Sequence, residues 1–115
     1  MKTFQEKLKE KMDGYVHLIY EITRSFPREE LYGVTSQLRR ATLSIILNYI
    51  EGFARRKKAV KQNFWEISYG SLKESKYLIY FSLVEKYLSQ ENYDKAIKLS
   101  EEIGAMLWRS LKSLK

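Results

Sequence analysis

Cysteine is absent from this chain, proline and histidine occur once each, and there are only five glycines in 115 residues. Without cysteine there is no disulfide, no thiolate nucleophile and no thiolate metal ligand, so stability must come from apolar packing or subunit association. A di-iron bundle needs two Glu-x-x-His motifs, whereas the lone His17 has Gly14 three positions before it, which excludes that class and marks His17 as a surface histidine. With no histidine pair and no glycine-rich phosphate loop, neither a nucleophilic triad nor a nucleotide-binding motif can be assembled. No apolar run approaches the ~18–20 residues that span a bilayer. The opening MKTFQEKLKEK puts charges where a signal peptide carries its apolar stretch. The expectation is a cytoplasmic protein with no membrane partner, metal, cofactor or enzymatic activity.

What is present is globular composition, 44% hydrophobic and 30% charged, in a length that fits a single domain over 1–115. The only proline follows Ser25-Phe26 and ends a first helix over about 4–25. In that helix Leu8, Met12, Tyr15, Ile19, Ile22 and Phe26 recur at helical spacing. A short turn at Glu29 to Tyr32 and a break at Gly33 precede a helix over about 35–54, with Thr35 as its expected N-cap. Its core stripe is Leu38, Ala41, Ile45, Asn48 and Gly52. A third helix over about 59–88 carries Val60, Phe64, Ile67, Ser71, Leu78 and Phe81 on one face. A fourth, over about 91–113, aligns Tyr93, Ala96, Ser100, Ile103, Leu107 and Leu114. Four helices with short connections predict an all-α, up-down-up-down antiparallel four-helix bundle.

Two helices carry more apolar surface than one core absorbs. Leu43, Leu47 and Ile50 lie off the core stripe of the second helix. Trp65, Leu72, Ile79 and Leu83 form a second stripe on the third. In a chain this small the surplus predicts a homo-oligomer interface, the alternative being a bundle with its third helix at the centre.

Polar residues interrupt these stripes at matching depths: Ser44, Asn48 and Glu51 on the second helix, and Ser71, Glu74 and Glu85 on the third. They are expected to meet inside the bundle, where a buried carboxylate needs a partner such as Arg39, Arg40, Arg55 or Asn48. Asn48, Glu51, Ser71 and Glu74 therefore read as a polar network that fixes register, in preference to a catalytic carboxylate pair.

The net charge is +7, and it is unevenly placed. From Arg24 to Lys61 there are nine Lys or Arg against three Glu. Arg39, Arg40, Arg55, Arg56, Lys57, Lys58 and Lys61, with Phe53 and Phe64 beside the junction, predict a patch for phosphate contacts with base stacking. The partners expected are RNA or DNA, bound without strong sequence preference; the alternative is a protein–protein adaptor whose charge serves solubility.

The segments Ser25-Phe26-Pro27, Thr35-Ser36-Gln37-Leu38-Arg39-Arg40-Ala41, Ser44-Ile45, Asn48, Glu51-Gly52, Arg55 and Gly70-Ser71-Leu72 with Glu74 together resemble the 23S rRNA intervening-sequence family of four-helix-bundle proteins. The resemblance implies a ring-like homopentamer with a basic surface and a role in nucleic-acid binding. It also implies kinship with the accessory subunits of reverse transcriptases in diversity-generating retroelements. No catalytic residues carry over; the motif residues Asn48, Glu51, Gly52, Ser71 and Glu74 are implied to be structural, Gly52 by permitting close helix approach. The chain departs from the pattern at Ile46-Leu47 and Tyr49-Ile50, where smaller residues are usual.

Overall fold

The structure, a computed structural model, describes residues 1–115. It is all-helical: α1 (Phe4–Thr23), a 3-10 turn (Arg28–Glu30), α2 (Val34–Phe53), α3 (Lys58–Val84) and α4 (Gln90–Lys112). Consecutive helices touch and α1 closes against α4, which makes an up-down-up-down four-helix bundle. Its long axis of 43 Å matches the length of α3, about 40 Å at ~1.5 Å per residue.

Each helix starts and stops for a local reason. At the start of α1, Thr3 Oγ1 accepts from the Glu6 amide at 3.0 Å and the Glu6 carboxylate accepts from the Thr3 amide at 2.9 Å, a reciprocal capping box. Those bonds hold the Glu6 carboxyl below its ordinary range. Ser89 Oγ caps α4 by accepting from the Asn92 amide. Thr35 is not the cap of α2: the helix begins one residue earlier, and the Val34 amide is satisfied by the Glu30 carboxylate reaching back from the 3-10 turn at 3.2 Å. Gly33 makes room for it, since a Cβ there would sit 2.5 Å from Glu30 Oε1.

The third helix ends four residues before its expected limit. Lys86 adopts a left-handed φ of 65°, and the Tyr87 and Lys86 amides donate to the carbonyls of Ser82 and Leu83. This is a Schellman ending built without the glycine that usually announces one. Tyr87 then packs against Phe81, ring centroids 6.5 Å apart, and its hydroxyl donates to Glu30 Oε2 at 2.9 Å.

The core holds the whole expected stripe of α1 and, from α2, Leu38, Ala41, Ile45 and Gly52. On α3 the two expected faces are partly exchanged: Phe64, Ser71, Leu78 and Phe81 are half-buried, with Leu78 and Phe81 packed against the core, but the fully buried face is the other one. Trp65, Leu72 and Ile79, assigned from the sequence to a subunit interface, are at most 4% exposed and belong to the chain's own core. Leu83 is half-buried, and Val60 and Ile67, expected in the core, are exposed. The true core face alternates these large side chains with Ser68, Ser75 and Ser82, all fully buried. Trp65/Ser68, Leu72/Ser75 and Ile79/Ser82 repeat every seven residues, the seam of coiled-coil-like packing. The serines hydrogen-bond backbone carbonyls, Ser68 Oγ reaching across to Ile45 at 2.7 Å. Small side chains there let α2 and α3 approach closely, and Gly52 takes this to its limit: a Cβ would meet the Trp65 ring at 2.6 Å.

Candidate nucleic-acid interface

The turn from α2 to α3 gathers cations at one end of the bundle. Arg55, Arg56, Lys57 and Lys58 are exposed and Lys61 is half-buried. Arg55 pairs with Glu51 one helical turn back, and its guanidinium lies 5.4 Å from the Phe64 ring centroid. Lys61 Nζ sits between two rings, 5.6 Å from Phe53 and 5.5 Å from Trp65. Phe53 is about half exposed, so the corner presents an aromatic surface beside its charges. Arg56, Lys57 and Lys58 have no carboxylate partner.

These charges stand where a helix is least able to hold them. The first turn of α3 contains no acid, and Lys57 at its N-cap makes no side-chain cap. A 27-residue helix therefore points the positive end of its dipole, with unpaired amide N–H groups, into a cluster of five cations. Within the chain a carboxylate, that of Glu51, meets only Arg55, which leaves Arg56, Lys57 and Lys58 unneutralised; a phosphate oxygen placed there would offset them.

The other two expected members of the patch lie elsewhere. Arg39 is about 24 Å from Arg55 along α2, at ~1.5 Å per residue. It is half-buried at the seam with α1, where Nε donates to Thr23 Oγ1 at 2.8 Å and the guanidinium stacks 4.6 Å from the Tyr20 ring centroid. Arg40 is exposed and donates to Ser36 Oγ at 3.1 Å. Neither extends the corner, because α2 runs the length of the bundle and they stand near its other end.

Of the expected polar network only Asn48 and Ser71 are joined, through Ser44, on the half-buried seam of α2 and α3; neither Glu51 nor Glu74 takes part. Ser44 and Ser71 hydroxyls hydrogen-bond at 2.7 Å across the helices, and Asn48 Nδ2 donates to the Ser44 carbonyl and hydroxyl at 2.9 and 3.0 Å. Glu51 belongs to Arg55, and Glu74 and Glu85 are exposed with no ion-pair partner. No group of three or more His, Asp or Glu side chains is placed to hold a metal ion. His17 is exposed, 3.4 Å from the Asp13 carboxylate.

Of the expected interface residues, Leu43, Leu47 and Ile50 do face outward, Leu47 at 60% exposure. They recur at i, i+4 and i+7 on the side of α2 away from the core. Sequence reasoning missed Tyr49 between them: fully buried, it stacks on Trp65 at 5.2 Å between centroids, and its backbone carbonyl accepts from Trp65 Nε1 at 3.1 Å. The bulky departure from the usual pattern at this position thus fills the core.

The fold is shared with the crystal structure of a protein of unknown function from the S23 ribosomal protein family of Bacteroides thetaiotaomicron, at a TM-score of 0.88 and 21% identity over 96% of this chain and 99% of that one. No curated protein matches the sequence. No helix is long and apolar enough to cross a membrane. Residues 6–109, nearly the whole bundle including the Gln37–Gly52 motif and the basic corner, match the family described as 23S rRNA-intervening sequence protein, and the chain belongs to that family.

Proposed function

We propose that this protein is a non-enzymatic, self-associating scaffold that binds RNA or DNA through phosphate contacts with little sequence preference. The observation that carries the reading is the cation cluster around the uncapped start of α3, an arrangement unfavourable in the free chain and favourable around an anion. Phe53 adds a face on which a base can stack. Arg56 alone has a free guanidinium fork there, since Arg55 is engaged by Glu51 and Phe64, and one arginine reads at most a single base.

Self-association is supported by the outward stripe of Leu43, Leu47 and Ile50 and by Gly70. This glycine, mid-way along α3, is exposed with no neighbour within 4 Å of an added Cβ, as is Gly14 on α1, but it alone of the two belongs to the Gly70-Ser71-Leu72 segment that carries the family resemblance. Copies of the corner arranged about a symmetry axis, five in a ring on the family resemblance, would sum into one continuous positive surface. In its narrowest form the reading makes the protein an accessory subunit of a reverse transcriptase, acting in the cytoplasm.

The test is binding of mixed-sequence RNA and duplex DNA across a salt series. Engagement of the corner by three to four phosphates gives a log–log slope of about −2 to −4 per subunit. Replacing Arg56, Lys57 and Lys58 with Glu should abolish binding while the helical circular dichroism stays unchanged. Salt-independent binding, or an unaffected charge-reversal variant, would refute the reading and leave an adaptor bundle that uses the α2 stripe.

A further inference from the structure

The opposite end of the bundle holds a second cationic feature, which the corner does not explain. Where α1 ends and α2 begins, an open cleft of about 390 Å³ is lined by Arg24, Arg28 and Arg39 together with Thr23, Thr35 and Phe26. No carboxylate lines it, and none of the three arginines is in an ion pair. The nearby Glu30 is committed elsewhere, to the Val34 amide and the Tyr87 hydroxyl. Arg39 spends Nε on Thr23 and one Nη2 hydrogen on the Tyr20 carbonyl, leaving the rest of its fork unspent.

Thr35 supplies an independent pointer. It is 3% exposed and lines the cleft, yet its hydroxyl makes no hydrogen bond, because the capping role its position suggests is taken by Glu30. It also stands in the first turn of α2, a 20-residue helix, where the Thr35 and Ser36 amides have no carbonyl partner. Three guanidinium groups outside any ion pair, an idle hydroxyl and free helix-start amides are donors, and beyond the Thr23 hydroxyl and Tyr20 carbonyl that Arg39 uses, no carboxylate lines the cleft to accept from them.

We infer that this cleft is a binding site for a phosphoryl oxyanion, held by Arg24, Arg28 and Arg39 with Thr35 donating to it. The chemistry suits a free phosphate or phosphate monoester and equally one phosphodiester of a nucleic-acid chain. The site lies at the other end of the bundle from the α2–α3 corner and stands whether or not that corner binds nucleic acid.

The experiment follows amide resonances of the full-length, isotope-labelled protein by NMR at constant ionic strength, with two probes. Inorganic phosphate stands for the free anion, and a dinucleoside monophosphate, whose only charge is its diester, stands for the chain. Saturable shifts at Thr35 and Ser36 are expected. Phosphate alone acting would identify a free-anion site, and the dinucleotide acting as well would identify a backbone contact. The double variant Arg24→Gln/Arg28→Gln should weaken the response about tenfold or more, and Thr35→Val should weaken it by a smaller factor. Arg39 is left intact because it also ties α1 to α2. No saturable shift at these amides with either probe, shifts confined to Arg55–Lys61, or undiminished affinity in the double variant would overturn the inference; the second of these would leave the corner's role standing.

Discussion

Two buried tyrosines show how differently one residue type can be used. Tyr15 has a partner: its hydroxyl lies 2.9 Å from Ser75 Oγ, which in turn donates to the Leu72 carbonyl, so the diagonal from α1 to α3 is bridged. The hydroxyl of Tyr49 is buried with no partner at all. Replacement by phenylalanine should therefore act with opposite sign at the two positions. Tyr49→Phe removes an unsatisfied group and is expected to raise stability by about 1 kcal/mol, whereas Tyr15→Phe loses a made bond and should lower it by a similar amount. Urea unfolding midpoints distinguish the two. Burial also pushes both phenols up, Tyr49 from 10.0 to about 12. In the unfolded chain they ionise near their ordinary value, so the contribution of Tyr49 is fully present below about pH 10 and is lost between about pH 10 and 12, while that of the more strongly raised Tyr15 continues to fall above this window. Tyr49→Phe should reduce the steepness of that alkaline loss, read by denaturation at a series of pH values.

At the scale of the element, the informative residues are small ones. Gly52→Ala gains about 1 kcal/mol of helix propensity. It also drives a methyl into the Trp65 ring, which cannot retreat because it is stacked on Tyr49 and bonded to its carbonyl. Overpacking costs about 1–3 kcal/mol, so the net change is expected to be destabilising. Gly14, exposed on α1 with nothing within 4 Å of an added Cβ, is the control: Gly14→Ala should stabilise by about 0.5–1 kcal/mol. Thermal unfolding of the two variants gives the comparison.

The same small residues decided what could be read from the sequence. On α1 helical period alone placed the core face, and on α2 and α4 it placed most of it, missing the buried Tyr49 and Leu111 and including the half-buried Asn48, Tyr93 and Leu114. On α3 the buried face is diluted by Ser68, Ser75 and Ser82, so the face with Val60, Ile67 and Leu78 looked the more hydrophobic. Serine is a good core residue only where backbones come close and a carbonyl is in reach, a fact of tertiary geometry. The basic run from Arg55 to Lys61 was legible because it is contiguous. That Arg39 lies apart from it follows from the rise of α2, but its docking at the α1 seam depends on Tyr20 and Thr23 from another helix. Trp65→Ala, a change that the sequence alone would assign to association, is instead expected to cost about 3–5 kcal/mol of the chain's own stability.

For the whole molecule, the question is what the surplus apolar surface does. Leu47 sits at the middle of the outward stripe of α2 and takes no part in the core, so Leu47→Arg should leave the monomer folded. On the proposed reading it dissociates the assembly, and light scattering after size exclusion reports a single-subunit mass. Gly70→Ala is subtler: in the isolated chain it should stabilise by about 0.5–1 kcal/mol, and on a surface where helices of two copies meet it should weaken their association. An assembly mass unchanged by both variants would remove α2 and α3 from the subunit contact.

Glu30 also makes the bundle's two ends unequal. With one oxygen on the start of α2 and the other on Tyr87 behind α3, its carboxylate clasps two connections that are remote in the chain. The far end, where α2 turns into α3, has no clasp between connections; its one ion pair, Arg55 with Glu51, lies within a single turn of chain, and the remaining cations press on one another. Breathing of the bundle should therefore be polarised, beginning where the cations crowd and dying out toward the clasp. Whatever anion settles on that corner would then act on the molecule's motions as well as its charge, quieting the end that opens first.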